Sequence, residues 1–360
     1  MSYPKPSDLL LSITSACNHR CLHCSVRAGE SEPGEMEFEE FKTLVLDPSI
    51  SLSIENVAII GGEPFMKSDL LLKVVKYCKS KGLKVFIGTN GTLITENIAS
   101  ELKRMGVDSI WITIYGVKEK THEFITQTPS SFKKMLRGLK ILSETGINIG
   151  IQLVPMKPTW REQPLIVDLV KRYGVEKIEI FRVAPVGRAI DNWGKLLLTK
   201  EETHKLEEEL IAKVKETEMI IAPAGFATMQ TFPRLSKFNE EEVICGSYVS
   251  CTAGIRKFYV TAVGNVYPCA ALENPYCLAG NIKKNNLINI WCKSPIFQLL
   301  RYYLNNPPPP CNTCKKFNIC NGDCRSQVFF LTGLLTVPTP ECPKVKSGGK
   351  KYEKRFICSL

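Results

Sequence analysis

The sequence predicts an α/β fold, a partial (β/α)6 TIM-like barrel, followed by a small irregular domain rich in cysteine. Three observations lead to this prediction. Strand and helix patterns alternate over the first 217 residues, glycine-rich turns follow several of the strands, and ten cysteines lie between residues 245 and 342, where the alternation stops. Alternation of this kind produces a parallel sheet with right-handed crossovers.

Six apolar, β-branched segments predict the strands of the barrel. They cover residues 9–14, 57–60, 84–87, 109–114, 148–154 and 177–183. Segments with helical apolar spacing separate them at 38–46, 69–78, 96–105, 132–142 and 164–173, and a further helix is predicted at 200–217. Six such units make a partial barrel that binds ligands at the carboxyl ends of its strands.

The domain limits follow from where this pattern ends. We expect the barrel over residues 1–217, a bridging region over 218–244, an auxiliary domain over 245–345 and a basic tail over 346–360. Apolar periodicity is weak after residue 218, so we expect 220–242 to be irregular. The auxiliary domain is expected to need metal clusters as cross-links.

Composition excludes several classes of protein. The chain has 360 residues, of which 44% are apolar and 23% charged, and its apolar runs are all far shorter than the roughly 20 residues that span a bilayer. The N-terminal segment lacks the pattern of a secretory signal. The net charge is +11, but the lysines are dispersed. We therefore expect a cytoplasmic protein with neither a membrane nor a nucleic acid as partner.

Cysteine usage is the most informative part of the composition. Fifteen cysteines in a chain of this length without a signal sequence indicate metal binding, since disulfide frameworks belong to secreted proteins. Eleven of them fall into two groups with tight spacing. The remaining four, which receive no role, are Cys78, Cys277, Cys292 and Cys358.

The first cysteine motif directly follows the first predicted strand and reads Cys17-Asn-His-Arg-Cys21-Leu-His-Cys24. Three thiolates can bind three irons of a [4Fe–4S] cubane, which leaves the fourth iron open to a substrate or cofactor. The alternatives are a zinc site and a ferredoxin-like cluster. Zinc sites usually pair two CxxC hooks, and ferredoxins use CxxCxxC, so both are disfavoured.

Two turns accompany this motif at the ends of the next two strands. Gly61-Gly62-Glu63-Pro64 follows the second strand, and glycines there allow a close approach of the backbone to a ligand. Thr89-Asn90-Gly91-Thr92 follows the third strand. Because the carboxyl ends of parallel strands share one edge of a barrel, all three motifs are expected to meet.

This combination resembles the radical S-adenosylmethionine superfamily over roughly residues 8–215. In that family the methionyl group of the cofactor chelates the open iron. One electron from the cluster then splits the sulfonium into methionine and a 5′-deoxyadenosyl radical, which abstracts hydrogen from a substrate. The resemblance implies that Glu63 helps hold the methionyl ammonium and that His23 lies near the adenine. The other positions that it implies for cofactor binding are Gly61, Gly62, Pro64 and Asn90.

Other positions at the strand ends carry weaker signals. Relatives often have an aspartate after the fourth strand where this sequence has Tyr115, so no role is transferred to it. Arg182 and Arg188 are equally consistent with an anionic substrate and with an ordinary protein surface.

The C-terminal cysteines follow a second pattern. Cys251 and Cys269 flank Gly264, and a Cys-x2-Cys-x5-Cys-x3-Cys run precedes a last cysteine. The pattern resembles the SPASM extension of the same superfamily, and Cys245 brings the number of thiolates to eight. The resemblance implies two fully ligated [4Fe–4S] clusters and three clusters in total, whereas two tetrahedral zinc sites are the alternative. The implied ligands are Cys245, Cys251, Cys269 and Cys324 for an inner cluster and Cys311, Cys314, Cys320 and Cys342 for an outer one.

The resemblance also implies a function. We expect a radical S-adenosylmethionine enzyme that modifies a peptide or protein, or a cofactor precursor, and that receives electrons from a low-potential donor such as ferredoxin or flavodoxin. The alternatives are an enzyme that modifies a haem precursor or other tetrapyrrole, or a tungsten-pterin cofactor, and a non-enzymatic iron–sulfur electron carrier. Only sixteen residues precede Cys17, so we expect no separate peptide-recognition domain. Ala270 stands where sulfatase-maturing relatives carry an acidic residue, which argues against that activity.

Overall fold

The computed structural model describes residues 3–223 and 251–345. Its strands form one sheet in the order β10-β9-β8-β1-β2-β3-β4-β5-β6-β7. The strands are β1 Asp8–Ser12, β2 Asn56–Ile60, β3 Lys84–Thr89, β4 Ser109–Ile114, β5 Ile149–Leu153, β6 Lys177–Ile180, β7 Ile220–Pro223, β8 Lys257–Val260, β9 Asn265–Tyr267 and β10 Gly280–Asn281.

Helices connect the strands and cover the sheet. They are α1 Phe38–Glu40, continued by a π-helical segment at Phe41–Leu46, α2 Asp47–Ser51, α3 Ser68–Ser80, α4 Glu96–Met105, α5 Glu119–Thr126, α6 Ser131–Thr145, α7 Gln163–Lys171, α8 Arg188–Asp191, α9 Trp193–Leu196, α10 Lys200–Thr217, α11 Leu287–Lys293, α12 Pro295–Asn305, α13 Phe317–Cys320 and α14 Arg325–Thr332. Short 3-10 turns at Pro64–Lys67, Trp160–Glu162, Ala270–Leu272, Pro275–Cys277 and Cys311–Thr313 complete the regular structure.

Neighbouring strands from β1 to β7 are all parallel, and this confirms the predicted α/β fold class. The strands carry buried residues, including Leu9, Val57 and Ile110, that pack against apolar faces of the helices. Because every crossover runs in the same sense along the sheet, the carboxyl ends of β1–β6 lie at one edge. That edge carries the motifs singled out in the sequence.

The structure differs from the sequence-based expectations in several elements. Residues 220–223 were expected to be irregular but form β7, which pairs in parallel with β6. The last barrel strand was expected to reach residue 183 but ends at Ile180, and α5 was not expected. The expected bridging region, 218–244, and the basic tail, 346–360, lie mostly or entirely outside the described residues, so the domain limits stay a prediction.

The cysteine-rich region contains more apolar core than its sequence pattern indicated. β8 pairs in parallel with β1, so this region continues the barrel sheet. The Trp291 ring packs at a tilt against Phe258 and Phe297, with ring centroids 5.5 and 5.0 Å away, and all three side chains are buried. Residues 257–305 therefore have an apolar core of their own, which the weak apolar pattern of this region did not predict, and its need for metal clusters as cross-links stays a prediction.

Candidate active site

The loop that carries the first cysteine motif is fixed by its own backbone and by a buried carboxylate. The amide of Cys17 donates to the carbonyl of Gly29 at 2.8 Å, and the amide of Cys24 donates to the carbonyl of Cys21 at 3.2 Å. Glu35 accepts from the amide of Ser15 at 2.7 Å and from the hydroxyl of Thr14 at 2.9 Å. The loop is thus held in place before any ligand binds.

All three thiols of the motif face one cavity of about 260 Å³ at the carboxyl edge of the sheet. Burial raises the pKa of Cys17 to about 11, and burial together with the neighbouring thiols raises the pKa of Cys21 still further. Thiols in such a place ionise only when a positive charge compensates them, and a bound metal provides that charge. Gly61, Gly62, Asn90 and His23 line the same cavity.

Glu63 lies at the start of the 3-10 turn at Pro64–Lys67 and is only 1% exposed. Its carboxylate accepts hydrogen bonds from the Thr89 hydroxyl at 2.7 Å, the Asn90 amide at 2.7 Å and the Phe65 amide at 3.2 Å. All three donors are neutral, and burial raises the pKa of Glu63 to about 7. A buried carboxylate whose partners here are neutral is well suited to bind a cation.

The two glycines of the GGEP turn have a packing role that the sequence did not reveal. A Cβ atom on Gly62 would lie 2.0 Å from the carbonyl oxygen of Ala16, and one on Gly61 would lie 2.6 Å from that of Thr14. The amide of Gly62 donates to the Thr14 carbonyl at 2.7 Å. The turn therefore packs directly on the backbone that leads into Cys17, which side chains at either position would prevent.

Asn90 connects the third motif to the cysteine loop. Its side-chain amide donates to the side chain of Asn18 at 2.8 Å, and the Asn18 amide donates to the Thr92 hydroxyl at 2.8 Å. With the bond from the Asn90 backbone to Glu63, these contacts join the ends of β1, β2 and β3 into one hydrogen-bonded unit.

Aromatic residues form the wall of the cavity beside Cys21. The rings of His23 and Tyr115 meet edge to face with centroids 4.9 Å apart, and the Tyr115 hydroxyl lies 3.4 Å from Nε2 of His23. Burial lowers the pKa of His23 to about 4 and that of His19 to about 4. Both imidazoles are thus neutral at physiological pH. Tyr115 therefore contributes packing and a hydroxyl group to this wall.

Arg188 is a site residue that sequence reasoning left undecided. Its guanidinium donates to the carbonyls of Cys21 at 2.9 Å and Ala28 at 2.8 Å, and its backbone amide donates to Cys24 at 2.9 Å. Gly187 precedes it at φ 58°, and a Cβ there would lie 2.3 Å from the Cys24 carbonyl. Arg188 therefore holds the cysteine loop from the opposite side of the barrel.

Arg182 lies at the border of a second cavity. Its guanidinium binds Glu341 through two hydrogen bonds of 2.9 and 3.0 Å. The second cavity, of about 370 Å³, shares Phe181, Arg182 and Val183 with the first and is also lined by Lys200. This ion pair joins the barrel to the segment just before Cys342.

The C-terminal cysteines lie in two groups. Burial raises the pKa of Cys324, and the nearby charges of Cys251 and Cys269 raise it further. These three cysteines therefore lie close together. Burial raises the pKa of Cys269 to about 12. Cys245, the predicted fourth ligand of this inner group, lies outside the described residues.

The outer group contains the four remaining predicted ligands. Burial raises the pKa of Cys311, and the nearby charges of Cys342 and Cys314 raise it further. Burial also raises the pKa of Tyr303, and the charges of Cys311 and Cys320 add to that rise. The Lys344 ammonium donates to the Cys314 sulfur at 3.3 Å. Of the four cysteines left without a role, Cys78 and Cys277 are buried, Cys292 is partly buried and Cys358 lies outside the described residues.

The donor sets fit iron–sulfur clusters better than single metal ions. Within residues 3–223 and 251–345, no group of three His, Cys, Asp or Glu side chains is placed to hold one ion. Zinc needs its sulfur ligands at about 2.3 Å from a single centre, whereas a cubane takes one thiolate per iron and holds them farther apart. Groups of three and four neighbouring thiols suit such a cubane, which takes one thiolate per iron.

Comparison with known proteins agrees with this geometry. Residues 11–181 match the model of the Radical SAM superfamily. Mycofactocin maturase MftC of Mycolicibacterium smegmatis is 30% identical over 340 residues, which cover 94% of this chain and 82% of that protein. The chain belongs to the radical SAM superfamily. Residues 251–315 match the SPASM iron–sulfur cluster-binding domain.

Two further proteins match most of this chain. The AdoMet-dependent heme synthase of Methanosarcina barkeri is 27% identical, over 96% of this chain and 98% of that protein. The crystal structure of Streptococcus suis SuiB bound to S-adenosylmethionine superimposes with a TM-score of 0.74 and 18% identity, over 94% of this chain and 77% of that one. At this low sequence identity, the likeness to SuiB shows only that the two chains share a fold.

The family assignment confirms several expectations. This protein is a radical SAM enzyme with iron–sulfur clusters and S-adenosylmethionine as cofactors, and the alternative of a non-enzymatic electron carrier is not supported. Its relatives act on peptides or cofactors, in agreement with the predicted function. Within the described residues, no helix is both long and apolar enough to cross a membrane.

Proposed function

We propose that this enzyme binds S-adenosylmethionine in the cavity formed by the first three motifs and uses it to abstract hydrogen from a peptide or a cofactor precursor. One observation carries the proposal. Three partly buried cysteines and a buried carboxylate whose hydrogen-bond donors are neutral meet at one cavity of about 260 Å³. Thiolates hold iron, and a desolvated carboxylate binds an ammonium group through a strong, charge-assisted hydrogen bond.

The site residues divide the work of binding and orientation. Cys17, Cys21 and Cys24 would hold the cluster, which when bound supplies the electron that breaks the sulfonium of S-adenosylmethionine and releases the hydrogen-abstracting 5′-deoxyadenosyl radical. Glu63 would fix the methionyl ammonium, supported by its bonds from Thr89 and Asn90. Gly61, Gly62 and Pro64 hold this carboxylate against the cysteine loop, and His23 would form the wall beside the adenine.

The auxiliary cysteines would hold two further clusters, in the inner and outer groups described above. The electron for the reaction would come from a low-potential donor such as ferredoxin or flavodoxin. Cys314 lies near exposed Lys315 and Lys316 and bonds to Lys344, so the outer group has basic surroundings that suit an acidic carrier. We place the enzyme in the cytoplasm, where the reducing environment preserves thiolate ligands.

A peptide is the first candidate substrate, supported by likeness to mycofactocin maturase and by the fold shared with SuiB, which was solved with its precursor peptide SuiA. The second cavity adjoins the cofactor cavity at Phe181–Val183, so a substrate there would lie next to the radical.

A tetrapyrrole is a second candidate, and a specific observation favours it. The second cavity is lined by Lys200 and by Arg182, and a porphyrin carboxylate would replace Glu341 as the ion-pair partner of Arg182 there. The match to the heme synthase of Methanosarcina barkeri also extends over 98% of that protein's length. Modification of a tungsten-pterin cofactor stays an untested alternative.

The test measures formation of 5′-deoxyadenosine by the anaerobically reconstituted enzyme with a chemical reductant. Wild-type protein should form it, and Glu63→Gln should need far more S-adenosylmethionine to do so. If wild-type protein with a full complement of iron forms none, the proposed function is wrong.

Candidate substrates are compared in the same assay. An iron coproporphyrin that stimulates 5′-deoxyadenosine formation in the wild type but not in Arg182→Gln would favour the tetrapyrrole. Exposed Lys195 provides the control, because Lys195→Gln should respond like the wild type. Stimulation by a precursor peptide and not by the porphyrin would favour the peptide.

A further inference from the structure

The loop between Cys320 and Cys324 has an unusual backbone. All three residues inside it have positive φ angles: 49° at Asn321, 75° at Gly322 and 75° at Asp323. A Cβ on Gly322 would lie 2.0 Å from the hydroxyl oxygen of Tyr303 and 2.8 Å from Nη2 of Arg325. Since Cys320 belongs to the outer group and Cys324 to the inner group, this loop, Tyr303 and Arg325 pack together where the two groups meet.

Arg325 is a buried charge with an incomplete set of partners. It is 3% exposed, and its Nη1 donates to the carbonyls of Leu335 at 3.1 Å and Val337 at 2.8 Å. Its guanidinium stacks 4.4 Å from the centroid of the Tyr303 ring. Nη2 is fully buried and has no hydrogen-bond partner in the part of the chain that the structure describes. Leaving such a donor unpaired is costly, so another group is expected to meet it.

The unpaired nitrogen alone does not identify that group, because Arg301 shows the same feature. Arg301 donates to the carbonyls of Gly254 and Trp291 and stacks 4.3 Å from the Trp291 ring, and its Nη2 likewise lacks a partner among the described residues. What distinguishes Arg325 is its neighbour. The Tyr303 hydroxyl under it donates to the sulfur of Cys311 at 3.9 Å.

Both groups act on the same predicted ligand. The Tyr303 hydroxyl donates to the Cys311 sulfur, and the buried guanidinium of Arg325 lies over the Tyr303 ring. A hydrogen bond and a nearby positive charge both stabilise a thiolate, which is the form that binds iron. They provide a hydrogen bond and a buried positive charge on one side of the outer group.

We propose that Tyr303 and Arg325 hold the outer auxiliary cluster by a hydrogen bond and a buried positive charge, and so raise its reduction potential. The inference rests on the proposed function, since it requires that the outer cysteines bind a cluster. Hydrogen bonds to sulfur and nearby charge are known to set the potentials of such clusters. A cluster that gains an electron gains negative charge, so a buried cation beside it stabilises the reduced form.

The experiment uses full-length protein in which Cys17, Cys21 and Cys24 are replaced by alanine, so that only auxiliary clusters remain. Their midpoint potentials are measured by redox titration followed by electron paramagnetic resonance. Arg325→Gln should make reduction of one cluster at least tenfold less favourable, a shift of about −59 mV for a one-electron couple, and should shift the other by less. Tyr303→Phe should shift the same cluster in the same direction by less. Arg301→Gln, the matched control, should shift neither.

Each result decides the inference. Unchanged potentials in Arg325→Gln and Tyr303→Phe at full iron content would overturn it, as would an equal shift in Arg301→Gln. If Arg325→Gln loses iron, the midpoint potentials of Tyr303→Phe alone decide the inference, because that substitution removes one hydroxyl and leaves the ring in place. A parent protein that binds fewer than about eight auxiliary irons would instead overturn the cluster assignment itself, and this inference with it.

Discussion

Replacement of Glu63 by glutamine should weaken binding of S-adenosylmethionine while leaving iron content unchanged. The carboxylate is 1% exposed, and its acceptor atoms already receive three hydrogen bonds from neutral donors. A charge-assisted bond to the methionyl ammonium is worth about 1.5–3 kcal/mol, and its loss corresponds to an affinity about 10- to 150-fold lower. Anaerobic equilibrium titration of the reconstituted protein measures this change. Glutamine is a better choice than alanine, because alanine would leave the Thr89 and Asn90 donors unpaired.

Glu162 offers a matched control for this substitution. Its carboxylate also accepts from two backbone amides and a threonine hydroxyl, those of Val117, Lys118 and Thr121. Glu162→Gln therefore perturbs a comparable set of hydrogen bonds and should leave the affinity for S-adenosylmethionine unchanged. Equal affinities for S-adenosylmethionine in wild type and Glu63→Gln would refute the reasoning. So would an equal loss of affinity in Glu63→Gln and Glu162→Gln.

The pH dependence of binding provides a second readout of the same prediction. Burial raises the pKa of Glu63 to about 7, so in the cofactor-free protein this carboxyl is protonated below that pH. The stabilisation that the folded state gains from holding this proton is complete below the unfolded pKa, near 4.5, and is lost as pH rises through about 7. Only the ionised form attracts an ammonium, so affinity should fall as pH falls through about 7. Glu63→Gln should lack this dependence, and Glu162→Gln should keep it.

Three further substitutions test the surrounding structure. Arg188→Leu removes the hydrogen bonds to the carbonyls of Cys21 and Ala28 and should lower the iron content by up to about four per chain. Arg27→Leu, which removes only the exposed ion pair with Asp191, should leave the iron content unchanged. Gly62→Ala places a Cβ 2.0 Å from the Ala16 carbonyl and should lower stability by about 1–3 kcal/mol or more, measured as a lower Tm, while Gly194→Ala, where the added atom meets open space, should not. Cys320→Ala should release the outer cluster, yet limited proteolysis should cut only near residues 311–345, because the core around Trp291 stays packed. Cleavage throughout residues 257–305 would contradict that reading.

The sequence predicted the parts of the fold that depend on local pattern. Strands β1–β6 have continuous apolar character, and the motifs that follow β1, β2 and β3 must meet because parallel strands end at one edge. The same geometry predicts that Cys17, Glu63 and Asn90 lie together. Gly61 and Gly62 line the cavity, and the structure adds a close contact of both with the backbone of residues 14–16 that the sequence did not reveal.

Features that depend on long-range contacts could not be read from the sequence. β8 is four residues long, and nothing in Lys257–Val260 itself indicates that it pairs in parallel with β1 nearly 250 residues earlier. Arg188 and Arg325 have the same local appearance as surface arginines, and only the packed structure shows which carbonyls and rings they meet. The position of Gly187 just before Arg188 was the one local signal, since a glycine can place the backbone against another loop.

The central claim is that Cys17, Cys21 and Cys24 hold the cluster that acts on S-adenosylmethionine. It is tested most directly by counting iron and measuring 5′-deoxyadenosine in wild-type protein and in the variant with all three replaced by alanine. The account predicts about twelve irons per wild-type chain, about eight in the variant, and product only from the wild type. Equal iron in both proteins, or product formation that survives in the variant, would contradict it.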